Sequence, residues 1–368
     1  MDYNELDTPA LLIDKDIMIS NIEYMQSYAN ENNVSLRPHT KTHKMPDIAK
    51  LQIQYGAIAI AVAKIGEAEV MADNDINDIF IANEIIGEIK FKRIANLAKK
   101  VKISFGVDCI EQVLQAQEIF KLFDVIVDVL VEIEVGENRS GIIKNDDFIN
   151  LLDEIKKCSN IKFKGIFSHD GNSYSAKNIQ ECIDIAIGAQ KRTLEFAKIA
   201  KKMKMECEIV SYGSTPTLFN KAPILDGITE IRVGTYVFMD VSQANAINNI
   251  HRCAAKVLAS VISKPTSSRV ILDVGAKGLT MQERKIGICA TKGKGVLIDY
   301  SNTYIEKVFD EHAIINNIDF SKSVNVGDKV LIIPNHICPV CNLYKKAYLI
   351  KDKDVVNEID IACRAKLQ

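Results

Sequence analysis

The chain has 368 residues, 47% hydrophobic and 26% charged, with a formal net charge of -2. That length holds two domains or one barrel with an appendage, and the composition is that of a globular protein. The near-balanced charge gives no field that would draw nucleic acid or acidic membrane, so any phosphate binding must be local, and no apolar run is long enough to span a bilayer.

The first residues, Met1 to Glu5, are acidic and lack the basic and apolar regions of a secretory signal. Nine scattered cysteines, an odd number, do not read as a disulfide framework. Reduced, mostly buried thiols and a cytoplasmic location are expected. From there, short β-rich runs alternate with helical patterns. Strands are expected at 35–37, 57–62, 79–81, 102–105, 125–135, 162–168, 208–212 and 230–233. Between them, segments such as 16–31, 65–73, 87–100 and 110–122 carry apolar residues at helical spacing, with Lys and Glu opposite. Eight strands with intervening helices predict an α/β fold, a (β/α)8 TIM barrel over 10–244. A doubly wound sheet is the rival, but no GxGxxG or Walker A loop is present. After Asn245 the helical period fades. Short runs at 257–262, 269–273, 295–299, 307–309, 313–315, 329–333 and 346–350 predict an all-β domain over 245–368, joined by 1–9.

Polar clusters follow the expected barrel strands, where barrel enzymes keep their chemistry. Arg37-Pro38-His39-Thr40-Lys41-Thr42 places Lys41 at the mouth, where a lysine can form a Schiff base; Lys44 is its nearest competitor. In Gly136-Glu137-Asn138-Arg139-Ser140-Gly141, glycines flank Arg139, which suits a ligand oxygen, a substrate carboxylate or merely a polar loop. His169, in Ser168-His169-Asp170-Gly171, is an acid/base candidate or a rim histidine. Tyr212-Gly213-Ser214-Thr215 and Arg232-Val233-Gly234-Thr235-Tyr236 offer glycine amides and hydroxyls, the chemistry of a phosphate cradle. In the β domain, His336 and Cys338 stand at i and i+2 and point the same way on an extended chain. They suit one borderline divalent ion, zinc by preference and manganese or magnesium otherwise, with positions left open for water and substrate. Cys338 and Cys341 also fit a redox pair or buried thiols.

In order along nearly the whole chain, these motifs resemble the D-threonine aldolase/D-serine dehydratase family, which has the alanine-racemase-like fold of pyridoxal phosphate (PLP) enzymes. The likeness runs through Leu6-Asp7-Thr8-Pro9-Ala10, Arg37 to Lys44, Val135 to Gly141, Gly213 to Pro216, Glu230 to Tyr236, Leu272 to Lys277, Asp310-Glu311-His312 and Pro334 to Pro339. The resemblance implies a lyase for small D-configured β-hydroxy amino acids. Lys41 would bond PLP covalently, with Arg139 at its phenolic oxygen. Tyr212, Gly213, Ser214, Thr215, Gly234, Thr235 and Tyr236 would lie around the phosphate, Arg232 would face the pyridine nitrogen, and His336 and Cys338 would hold the metal. Lys41 and His169 are the catalytic candidates. The family also implies a homodimer with the β domain closing over the barrel. Cys338, where the aldolase branch has a carboxylate, points toward dehydration. The alternative is a metal-independent amino-acid racemase, for which the second proton donor, a tyrosine, is not identifiable in the sequence.

Overall fold

Asp14 ends one strand and starts the helix that leads into the barrel: its carboxylate accepts the Ile17 N–H at 3.1 Å, capping the helix Lys15–Glu31. That helix buries Met18, Ile22, Met25 and Ala29, the i, i+4, i+7 stripe visible in the sequence. The computed structural model describes residues 1–368. Its strands in chain order are β1 (Ala10–Asp14), β2 (Ser35–Leu36), β3 (Ile60–Val62), β4 (Asp78–Glu84), β5 (Lys102–Val107), β6 (Val127–Ile133), β7 (Ile161–Ser168), β8 (Ile209–Tyr212) and β9 (Glu230–Ile231). There follow β10 (Ala255–Ser263), β11 (Arg269–Leu272), β12 (Gly295–Leu297), β13 (Lys307–Val308), β14 (Ala313–Asn316), β15 (Lys329–Pro334), β16 (Lys346–Lys351) and β17 (Asp354–Asp360).

Strands β2 to β9 form one parallel eight-stranded sheet in the order β2-β9-β8-β7-β6-β5-β4-β3. Its two ends meet: a parallel bridge joins His39 to Ala61, and the Thr40 N–H donates to the Ala61 carbonyl at 2.8 Å. The sheet is therefore a closed barrel, with helices between successive strands. Side chains alternate inward and outward along each strand. Inward positions stack in layers. At the N-terminal end lie Arg37, Asp78, Lys102, Asp128 and Glu230. Above them Ala61, Phe80, Leu130 and Phe167 form an apolar plug, in which Phe80 and Phe167 meet edge to face at 5.1 Å. Two residues further along the same strands come the polar side chains of the mouth.

The second sheet has nine strands and contains β1. The sequence reading grouped 10–14 with the barrel, whereas β1 pairs antiparallel with β10 and parallel with β16. Leu11 and Ile13 face the main core while Ala10 and Leu12 pack on Leu258 and Ile350, so both faces of β1 are covered. An apolar strand buried on both faces looks the same in either domain, which is why its pattern did not reveal its sheet. β17 was absent from the sequence reading; its burial is slight, and it pairs with β16 at the sheet edge. No helix is long and apolar enough to cross a membrane.

Candidate active site

At the C-terminal mouth of the barrel an inner lobe of about 500 Å³ collects side chains from the loops after β2, β6, β7, β8 and β9. Lys41 stands in a tight turn. His39 is still held by the barrel, its N–H on the Val233 carbonyl at 2.7 Å, and the Lys44 N–H closes the turn on Thr40 at 2.8 Å. Lys41 makes no ion pair. Burial pulls its pKa below that of a free lysine; Cys338 opposes this, and the Arg139 and Arg232 guanidiniums reinforce it. Lys44, the competitor in the sequence, is buried and locked to Glu67 at 2.6 Å. The structure thus separates the two lysines.

His169 donates from Nδ1 to the Gly213 carbonyl at 2.9 Å, since a carbonyl only accepts. That bond fixes the tautomer and leaves Nε2 with its lone pair. Burial first, then the Lys41 and Arg139 charges, press the imidazole pKa down to about 3, so His169 is neutral at physiological pH. Arg232 is buried in the barrel over the Phe167 ring (5.0 Å). Its two terminal nitrogens donate to Ser211 Oγ at 2.7 Å and the Ser168 carbonyl at 3.0 Å. Burial lowers its pKa to about 10, which leaves it a cation at neutral pH. Arg139 is half exposed, paired with Glu137 at 3.3 Å and Glu132 at 3.7 Å.

The loops after β8 and β9 border the inner lobe with glycines and hydroxyls. Gly213 sits at φ +145°, where a Cβ would meet the Arg232 carbonyl and Leu218 at 2.9 Å. A Cβ on Gly234 would meet Thr42 Oγ1 at 3.0 Å and the His39 carbonyl at 3.1 Å. Leu218 is the first residue of the helix Thr215–Phe219 whose N–H reaches a carbonyl, that of Ser214, which leaves the earlier amides without a main-chain acceptor. Gly213, Ser214, Thr215, Gly234 and Thr235 all line the lobe. Tyr212 and Tyr236 do not. On β8 Ser211 points inward, so Tyr212 must point outward into the main core, where its hydroxyl donates to Asp170 at 3.0 Å. The Tyr236 hydroxyl accepts from Gln52 Nε2 at 2.9 Å, also in the core. Neither phenol is available to a phosphate.

An outer lobe adjoins the inner one and shares Lys41, Arg139, His169, Tyr174 and Thr235 with it. His336 and Cys338 line it from the segment after β15; His336 is extended but Cys338 lies in the helical turn Ile337–Cys341, so the pair does not sit on one extended chain as the spacing suggested. The Gln282 amide oxygen lies 2.8 Å from His336 Nδ1, which makes Nδ1 the donor and leaves Nε2 free for a metal. The Cys338 sulfur lies 3.2 Å from Thr42 Oγ1 and 3.5 Å from Thr235 Oγ1, so the β domain of the same chain reaches the barrel mouth. Asp240 anchors this loop, accepting the Ile337 N–H at 3.1 Å; its burial raises the carboxyl pKa to about 6. No third His, Cys, Asp or Glu joins His336 and Cys338 in a cluster able to hold an ion. The pair fits a site whose remaining positions belong to water and substrate, not a closed structural one.

Among the residues of the mouth missed in the sequence, three line the inner lobe. His39 lies in the key motif but was given no role, and it lines the inner lobe next to Lys41. Glu132 lies near the end of an apolar strand, two places on from inward-facing Leu130, a parity signal that could have found it. Tyr174 comes from a 3-10 turn, Gly171–Ser175, and no periodic signal marks it. Its ring lines both lobes, 6.3 Å from the His169 ring.

The family model "Alanine racemase, N-terminal domain" matches residues 13–242, and a model of a serine dehydratase domain matches 254–350. A D-threonine aldolase of Arthrobacter sp. is 29% identical over 364 residues, 98% of this chain and 93% of that protein. The crystal structure of D-threonine aldolase from Filomicrobium marinum superposes with a TM-score of 0.92 at 28% identity, covering 100% of this chain and 98% of that one. D-threo-3-hydroxyaspartate dehydratase from Delftia sp. HT23 superposes with a TM-score of 0.89 at 25% identity, covering 98% of each chain.

Proposed function

The chain belongs to the alanine racemase N-terminal domain family, and from that premise we propose that it is a PLP- and divalent-metal-dependent lyase of D-β-hydroxy amino acids. One observation carries the reading: Lys41 of the barrel and the His336–Cys338 pair of the β domain open into one cavity. A racemase has no use for the second pair.

The residues present fit both groups. Gly213, Ser214, Thr215, Gly234 and Thr235 would hold the phosphate of PLP, with Arg232 and Arg139 beside its ring. His336 Nε2 and Cys338 Sγ would hold the metal, zinc by the chemistry of an imidazole and a sulfur donor. When bound, PLP supplies an electron sink at Cα and the ion polarises the β-hydroxyl. The chain supplies the proton movements. Lys41, biased toward its neutral amine, can take the proton from Cα; loss of the hydroxyl then leads to a 2-oxo acid and ammonia. His169, neutral with Nε2 free, can instead take the hydroxyl proton, which cleaves Cα–Cβ to glycine and an aldehyde. Cys338 in place of a carboxylate favours dehydration; the free lone pair of His169 favours cleavage. The barrel would carry the cofactor and the β domain the metal. Nine unpaired cysteines fit a cytoplasmic protein, and a homodimer fits the fold family.

The test is mass spectrometry of products from the purified protein with PLP, zinc and D-threonine, with and without EDTA. Metal-dependent 2-oxobutyrate and ammonia mean a dehydratase; metal-dependent glycine and acetaldehyde mean an aldolase. Turnover indifferent to EDTA, or interconversion of the alanine enantiomers, overturns the reading.

A further inference from the structure

The outer lobe has an unequal charge inventory. Two carboxylates line it, Glu67 and Glu137. Both are matched within the chain: Glu67 by Lys44 at 2.6 Å and the Ala63 N–H at 2.7 Å, Glu137 by Arg139 at 3.3 Å. Apart from Lys41, which is reserved for the cofactor, Lys64 and Arg284 line the same lobe and have no acid partner. The acid next to Arg284 in sequence, Glu283, is engaged by Lys294 at 2.8 Å and Lys285 at 3.8 Å. Two half-buried cations without counterions ask for anions from the ligand.

Their positions divide the work. Arg284 is held over the Tyr174 ring, with its guanidinium carbon 4.4 Å from the centroid. Two residues before it, Gln282 bonds His336 at 2.8 Å, so this segment flanks the metal pair. Lys64 precedes the helix Ile65–Ala72, on the side of Lys44 and Glu67. If a substrate's β-hydroxyl is directed at His336 and Cys338, Arg284 is the unmatched cation of the segment flanking that pair and the group placed to meet a second substituent of the β-carbon.

We propose that Arg284 is a specificity-determining residue that receives a second carboxylate on the β-carbon, making a D-3-hydroxyaspartate, rather than D-threonine or D-serine, the preferred class of substrate. This rests on the lyase reading. A methyl group or hydrogen leaves the guanidinium unmatched, whereas a carboxylate meets it with charge-assisted, planar hydrogen bonds.

The experiment compares kcat/KM of the holoenzyme for D-threo- and D-erythro-3-hydroxyaspartate with that for D-threonine and D-serine. Oxaloacetate with ammonia, or glycine with glyoxylate, is followed from the dicarboxylic substrates. One hydrogen-bonded charge pair predicts a preference of about tenfold or more for at least one 3-hydroxyaspartate. In Arg284→Gln the ratio of dicarboxylic substrate to D-threonine falls by about the same factor, and Arg284→Lys restores much of it. A wild-type ratio near one, or an equal loss on every substrate in Arg284→Gln, overturns the assignment while leaving the lyase reading intact. No turnover of any of the four substrates brings down the lyase reading and this one with it.

Discussion

Glu84 ends β4 and points into the barrel mouth beside Glu132. Burial first, then the hydrogen bond and charge of Glu132, push its pKa up to about 9. Glu84 is therefore the partner that holds a proton, while the Glu132 carboxyl accepts from Ser140 Oγ at 2.8 Å and faces Arg139. The native state keeps a proton that the unfolded chain releases above pH 4.5, so stability is full below pH 4.5 and drains away as pH rises toward 9. At pH 7 that difference amounts to at most about 3 kcal/mol. The partly exposed side chain and the sharing of the proton with Glu132 reduce it to about 1–2 kcal/mol. Glu84→Gln keeps a donor toward Glu132 and removes the titration. Thermal unfolding at pH 5, 7 and 9 should therefore show a variant less sensitive to alkali than the wild type and more stable at pH 8 to 9. A variant that loses more than about 1 kcal/mol at pH 8, or that keeps the wild-type slope, would refute the protonated-pair argument.

Borohydride reduction of the PLP-loaded protein should fix the cofactor mass on the peptide containing Lys41, and Lys41→Ala should abolish both the label and the near-visible absorbance. Label on Lys44 would show that the wrong lysine was chosen. His43 is buried, accepts the Met45 N–H through Nδ1 at 3.0 Å and faces Gln52 through Nε2 at 3.3 Å, with burial holding its pKa at about 4. Between pH 6.5 and 4 the unfolded chain gains a proton that the native imidazole refuses, so stability present above pH 6.5 falls by about 3 kcal/mol toward pH 4. His43→Asn should flatten that acid limb in a thermal-shift series; an unchanged slope would assign the acid sensitivity to other groups.

Much of this architecture was legible because repeated βα units declare themselves twice, once in strand composition and once in helical period. The eight barrel strands fall where their apolar runs end, and Lys41, Arg139, His169, Gly213 and Gly234 gather at one mouth because each follows a strand of the same parallel sheet. What the sequence concealed was direction. Tyr212 and Ser211 are neighbours and equally plausible as ligands, but the pleat sends them to opposite sides of the sheet. β1 concealed its sheet, because pairing with β10 and β16 is a long-range choice that a local apolar pattern does not encode. Tyr174 and Arg284 come from irregular segments, whose aim is set by packing and not by period.

The same parity explains how the mouth is held rigid. Arg232 donates to Ser211 Oγ, and Ser211 in turn donates to Glu230 Oε1 at 2.7 Å. The other oxygen of Glu230 accepts Arg37 Nε at 2.8 Å; Arg37 Nη1 reaches Asp78 at 2.9 Å, and Lys102 closes the chain on Asp78 at 2.6 Å. Every link occupies an inward position, so one connected path of alternating charges runs from the base of the barrel to the cofactor side. Arg37 and Glu230 are almost completely buried, and removing one partner of such a pair strands the other at a cost of about 3–5 kcal/mol. The orientation of Arg232 is thus fixed from beneath, by the barrel's own charged floor, and does not wait for the cofactor to arrive. The His336–Cys338 pair is fixed from the opposite side, through Asp240 and the segment after β15. Between these two separately anchored walls stand Lys41 and His169, the groups proposed to move protons; His169 is tied to the Gly213 carbonyl, whereas the Lys41 amine makes no ion pair. The site is consequently rigid where charge is aimed and free at the Lys41 amine, the group proposed to carry the travelling proton.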